Sequence, residues 1–156
     1  MTRAELIAAV SSYFDIEELV CRHTFESFGR RSWQFLDTEY LATLLLIRRD
    51  ILKTAMFCNN YAIPGNRQFT QRGLRCNICA LVNEKTKAGR IYLTAHGQGK
   101  AGDFDCKGLT AVQARHLIED NADKLPHPIR MEEGVTWLHI DTYDDGSGRK
   151  VTYFKA

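Results

Sequence analysis

The segment Thr38 to Leu52 constrains the fold most strongly, because Leu41, Leu44, Leu45, Leu46, Ile47 and Ile51 recur there at helical spacing. Asp37 stands just before it, a residue suited to cap a helix N-terminus. A helix this rich in aliphatic side chains needs a core to bury them. With 156 residues the chain has room for one domain, 1–156, since domains of that size bury roughly 68–70% of the surface their unfolded chains expose.

Other elements follow from shorter patterns. Thr2 and Glu5 form a capping box, and Leu6, Ala9, Val10 and Phe14 continue at helical spacing. Residues 16–20 can extend that helix after a break. Residues 54–58 form a short apolar run before Asn59-Asn60, which predicts a buried strand, and a loop around residues 60–73 is long enough to border a site. A short helix is expected over Arg75–Asn83, and strands over Arg90–Ala95 and Ala101–Cys106. Thr110 and Gln113 form a second capping box, with Ala111, Ala114, Leu117 and Ile118 as the inner helix face. After Pro126 and Pro128, Val135–Thr142 and Lys150–Phe154 read as a hairpin around residues 144–148. The sum is an α+β fold, helices packed on a small, mainly antiparallel sheet.

The hydrophobic fraction of 44% and charged fraction of 26% fit a globular chain. A net charge of +2, from 21 basic and 19 acidic residues spread along the chain, supplies no basic field for nucleic acid. No stretch approaches the ~18 apolar residues of a membrane span, and the N-terminus lacks the apolar core of a signal peptide. Synthesis in a cytoplasm is expected, and five cysteines, an odd number, fit a reducing compartment better than a disulfide framework.

The chemistry concentrates in Thr94-Ala-His-Gly-Gln-Gly-Lys-Ala-Gly-Asp103, where an imidazole and a carboxylate flank a glycine-rich turn. Thr136-Trp-Leu-His-Ile-Asp141 alternates as a strand does and sets His139 and Asp141 on one face. Two histidines and a carboxylate, here His96, Asp103 and His139, are a known catalytic zinc set that leaves a fourth position for water, while histidine and aspartate beside glycines also serve as ordinary turn and capping residues.

These residues resemble a known family. Ser/Thr-x-His-x-x-Gly-x-Ala-x-Asp is the motif of the zinc D-Ala-D-Ala carboxypeptidases and the related phage L-alanyl-D-glutamate peptidases, which share a Hedgehog/D,D-peptidase fold. Thr94, His96, Gly99, Ala101 and Asp103 match it position for position, Trp137-Leu138-His139 resembles the family's C-terminal aromatic-x-His, and Gly73-Leu74-Arg75 its upstream Gly-x-Arg. The resemblance covers residues 73–141 and implies zinc on His96, Asp103 and His139. It also implies that Arg75 binds a substrate carboxylate or stabilises an oxyanion, with Thr94 and Trp137 at the substrate. The implied reaction is hydrolysis of peptidoglycan stem peptides, by removal of terminal D-alanine or cleavage between L-alanine and D-glutamate. A small single-domain enzyme of that kind is expected to be phage-associated and released to the cell wall.

The chain departs from the pattern where many relatives carry a catalytic carboxylate or a second histidine, for here those positions are Thr136 and Trp137. Glu133 matches the spacing of the glutamate in the related Hedgehog fold, and strand parity sets it on the His139 face, so it is the first candidate for general base; Glu132 follows closely, since Gly134 can shift the local register. Asp141 serves either to orient a ligand imidazole or as the base itself. A chain lacking a competent base would be a non-catalytic, zinc-stabilised peptide- or wall-binding module.

Cys76-Asn-Ile-Cys79 has the two-residue spacing of a zinc knuckle, which His96 or Cys106 could complete; on a helix, cysteines three apart read more simply as small core residues. His23, His116 and His127 have no partner at ligand spacing and read as structural or surface residues.

Overall fold

A computed structural model describes residues 1–65 and 68–156, so residues 66 and 67 of the expected long loop lie outside the described residues. The helices are α1 (Arg3–Ser11), α2 (Ile16–Leu19), α3 (Arg22–Phe28), α4 (Thr38–Leu46), α5 (Ala80–Lys87) and α6 (Ala111–Asp120), with short 3-10 turns at Gly29–Phe35 and Ala122–Lys124. Both capping boxes form, at Thr2/Glu5 and Thr110/Gln113, and the Asp37 side chain accepts from the Tyr40 N–H. Past Leu46 the predicted long helix loosens into a π-helical turn, Ile47–Leu52, that ends at Lys53 in the left-handed region.

Among the described residues five strands, β1 (Met56–Phe57), β2 (Ala101–Cys106), β3 (Ile129–Glu132), β4 (Leu138–Asp141) and β5 (Val151–Phe154), make a mixed sheet in the order β1-β2-β4-β3-β5. The fold is therefore α+β, with a single parallel pair, β3–β5, among antiparallel ones. That pair replaces the predicted hairpin. β4 is already flanked by β2 and β3, so the chain leaving β4 passes residues 144–148 and reaches the far side of β3 instead.

Two other expectations are corrected. Residues 90–95 form no strand: Ile91 and Leu93 are 84% and 72% exposed, and Tyr143 Oη donates to Leu93 O. The helix expected from Arg75 begins only at Ala80, because the Cys79 N–H donates to Cys76 O and closes a turn before it.

Strand alternation gives the sheet two unlike faces. On one, Phe104, Leu138, Ile140, Ile129 and Met131 join the main core with Leu41, Leu44 and Ile118 from the helices. Burial of each such side chain is worth roughly 1.5–3 kcal/mol, so this face anchors the register. The other face then necessarily carries Asp103 from β2, His139 and Asp141 from β4, and Arg130 from β3. The register pairs Asp103 with His139, and Asp141 with both Ala101 and Arg130.

Gly99 marks the turn leading into β2. Its φ is +68°, and a Cβ there would overlap the Phe35 carbonyl, while Asp37, two residues on, donates its N–H to Gly99 O. Gly99→Ala should therefore cost about 1–3 kcal/mol of folding stability. Urea titration followed by circular dichroism checks this, with Gly108→Ala as a control that shares the positive φ but meets no neighbour.

Candidate metal centre

His96, Asp103 and His139 converge on the polar face of the sheet, each buried, with ligand atoms all within 4.8 Å of one another. His96 stands in the turn that follows Thr94, whose carbonyl and hydroxyl both accept from the Gly97 N–H. His96 Nε2 lies 3.4 Å from Asp103 Oδ2, and His139 Nδ1 lies 2.8 Å from Asp103 Oδ1. The rings meet at an angle, with centroids 5.2 Å apart.

The remaining nitrogen of each imidazole is anchored. His96 Nδ1 sits 2.8 Å from Gly73 O, a carbonyl that can only accept, so this nitrogen carries the proton and Nε2 is left to face Asp103. His139 Nε2 sits 2.7 Å from Asp141 Oδ2. Asp141 is itself fixed by a two-pronged pair with Arg130, at 3.0 and 2.8 Å, and by the Tyr143 N–H at 3.0 Å. A carboxylate or carbonyl behind each imidazole is the arrangement that metal-ligating histidines use to fix their tautomer.

The donor set fits a divalent ion. Ligands at about 2.0–2.2 Å from zinc in a tetrahedron stand roughly 3.3–3.5 Å apart, the spacing of His96 Nε2 and Asp103 Oδ2. Where that spacing closes to 2.8 Å, between His139 and Asp103, a shared proton holds the pair together.

The other predicted residues take different places. Arg75 joins the centre: Nη2 lies 3.6 Å from Asp103 Oδ2, Nε donates to Gln71 O and Nη1 approaches Tyr92 Oη. Arg75 also opens onto a cleft of about 660 Å³ walled by Phe28, Phe35, Tyr92 and Gln98. Trp137 precedes β4, half-buried, its indole N–H buried without a partner among the described residues. Glu132, at the end of β3, is buried, and by alternation it shares the face of Arg130 and His139. Glu133 is exposed past the strand end, because the strand containing His139 begins only at Leu138. Cys76 and Cys79 do not join His96 or Cys106; they meet Cys21 and His23, a group that could hold a metal ion.

Three contributors were not singled out from the sequence. Arg130 and Tyr143 hold Asp141, and buried Arg115 of α6 reaches the carbonyls of Glu132, Val135 and Trp137 at 3.3–3.4 Å, fixing the loop between β3 and β4. Alternation around the 129–132 strand carried a signal for Arg130; nothing local marked Arg115. No family model, curated protein or solved structure matches the chain.

Burial would push His139 down, but the Asp103 and Asp141 carboxylates reverse this and raise it to about 9. Burial would likewise raise Asp103 and Asp141, and their hydrogen bonds to the imidazoles, with Arg130 for Asp141, hold both below the ordinary carboxylate range. In the metal-free protein, His139 stabilises the fold fully below its unfolded value near 6.5, and this stability is lost as pH rises through about 9. The aspartates stabilise it above about pH 4, and their contribution is lost in acid. Thermal melts in the presence of a chelator should show the midpoint falling between pH 7 and 10, a fall absent from His139→Gln. Equal profiles for the two proteins would refute the assignment.

Proposed function

We propose that the chain is a zinc-dependent peptidase that hydrolyses peptidoglycan stem peptides, as a D-Ala-D-Ala carboxypeptidase or an L-Ala-D-Glu endopeptidase. The observation that carries this reading is the convergence of His96, Asp103 and His139 with both imidazoles tied from behind, in residues that match the motif of those enzymes. Zinc held by such a set supplies Lewis acidity, which polarises a carbonyl and lets water ionise near pH 7.

The protein's own groups divide the remaining work. Arg75 lines the apolar cleft and sets its planar guanidinium 3.6 Å from Asp103, suited to a peptide carboxylate or to the charge that develops on a carbonyl under attack. Asp141, fully buried and engaged by Arg130, His139 and Tyr143, keeps His139 oriented and has no access to attacking water. Glu132 therefore takes the role of general base: it shares the face of His139, whereas Glu133 lies outside it. Its task is to accept a proton from the attacking water at a carboxylate oxygen and return it to the departing amine.

A non-catalytic module is the second reading, favoured by the absence, among the described residues, of any carboxylate besides Asp103 and Asp141 in hydrogen-bond contact with the imidazoles. Zinc-loaded protein incubated with purified stem peptides separates the two. Cleavage should release new amino termini, stop with chelator and vanish in His96→Ala. Glu132→Gln should lower kcat by about 10²–10⁴-fold with zinc content unchanged, and Glu133→Gln should stay near wild type. No cleavage of any stem peptide or intact wall by zinc-loaded wild type would leave the module.

A further inference from the structure

Cys21, His23, Cys76 and Cys79 come together from two distant parts of the chain. The Cys21 N–H donates to Leu74 O and the Leu74 N–H donates to Leu19 O, both at 2.9 Å, so residues 19–21 run beside the strand-like segment at Leu74. The Cys76–Cys79 turn then swings the second cysteine pair toward α3. Cys76 Sγ lies 3.6 Å from His23 Nδ1 and 3.9 Å from Cys79 Sγ, and Cys79 Sγ lies 3.8 Å from the same nitrogen. All four ligand atoms fall within 4.8 Å of one another, and all the thiols are free.

These spacings are those of a tetrahedron. With Zn–S near 2.3 Å and Zn–N near 2.0–2.1 Å, adjacent ligand atoms stand about 3.8 Å apart for two sulfurs and about 3.6 Å for sulfur and nitrogen. Three cysteines and a histidine fill every coordination position, which is the composition of a structural site rather than a catalytic one, and soft thiolates favour zinc over harder ions. A polynuclear iron–sulfur cluster would need its ligands set further apart.

Packing shows why this corner needs a fastener. α5 buries only Val82, and Val82, Cys21 and Cys79 form a small cluster of their own, separate from the main core. So little apolar surface is weak support for a helix and the loop leading to it, a shortage that small folds meet with a metal or a disulfide.

We propose that Cys21, His23, Cys76 and Cys79 form a second, structural zinc site that staples the start of α3 to the 74–79 loop and the start of α5. Arg75 lies inside the stapled loop, between Leu74 and Cys76, so the same tie sets the position of its backbone, whose N–H donates to His96 O. The site is made of residues separate from His96, Asp103 and His139 and does not depend on the peptidase reading.

Cobalt reconstitution of the full, reduced chain tests it. One equivalent of Co(II) should produce a thiolate-to-cobalt charge-transfer band in the near ultraviolet together with the visible absorption of tetrahedral cobalt. Both should persist in His96→Ala/His139→Ala, and the charge-transfer band should disappear in Cys76→Ser/Cys79→Ser. Because the first centre contains no sulfur, the band reports this site alone in the wild-type chain, even if the serine variant does not fold. Titration of the zinc protein with a mercurial thiol reagent should likewise release one zinc per chain that a chelator alone leaves in place. A folded wild-type chain that shows no charge-transfer band, or whose zinc content the mercurial does not change, overturns the proposal. Failure to cleave stem peptides would alter neither measurement.

Discussion

A carboxylate withdrawn from water must be met by opposite charge or by hydrogen-bond donors, and Asp103 makes that demand at the centre of this protein. Burial alone would drive it toward the neutral form; His139 and His96 keep it ionised instead, and Arg75 stands 3.6 Å away. Each partner comes from a different stretch of chain, so meeting one buried charge fixes the relative positions of β2, β4, the turn at His96 and the loop at Arg75. The demand continues outward through Asp141 to Arg130 on β3. Removing one member of such a chain leaves the next uncompensated, which is why buried ionic groups cost more to break than they contribute when intact.

The sheet makes this possible by separating its two tasks. Its core face is aliphatic and aromatic and is covered by helices; its polar face carries the charged cluster, with Tyr143 just past β4 linked to Leu93 O. Because alternation is obligatory within a strand, the aliphatic residues at 129, 131, 138 and 140 also dictate where the charges at 130, 139 and 141 project. Stability and chemistry are specified by the same register. Phe154 adds an aromatic edge to His139 at 5.1 Å and a face to Arg130 at 4.4 Å, bringing β5 into the polar cluster.

What could be read from the sequence was what lies close together in it. The capping boxes, β2, and the shared face of His139 and Asp141 follow from spacings of a few residues, and they formed as expected. The glycine-rich turn between His96 and Asp103 was legible for the same reason. Pairings decided by competition among distant segments were not. The parallel partnership of β5 depends on β4 having both edges taken, and the union of Cys21 and His23 with Cys76 and Cys79 depends on the short ladder at Leu74. The surroundings of Glu132 and Glu133 were not legible either, because residues 133–137 do not extend the strand of His139 but bend into a loop held by Arg115. Arg115 itself was hidden by its position on a helix face that otherwise reads as apolar or solvated.

The strand order also sets a schedule. β5 pairs with β3, not with the strand that precedes it, so its contacts close a loop of roughly twenty residues in a parallel geometry that no tight turn can nucleate. Contacts of this kind form after the more local ones, the helices and the β3–β4 pair, have condensed. A chain partway through folding would thus hold a well-formed aliphatic core while Arg130 and His139 still lacked the ring of Phe154. Compactness would arrive before the polar face was complete.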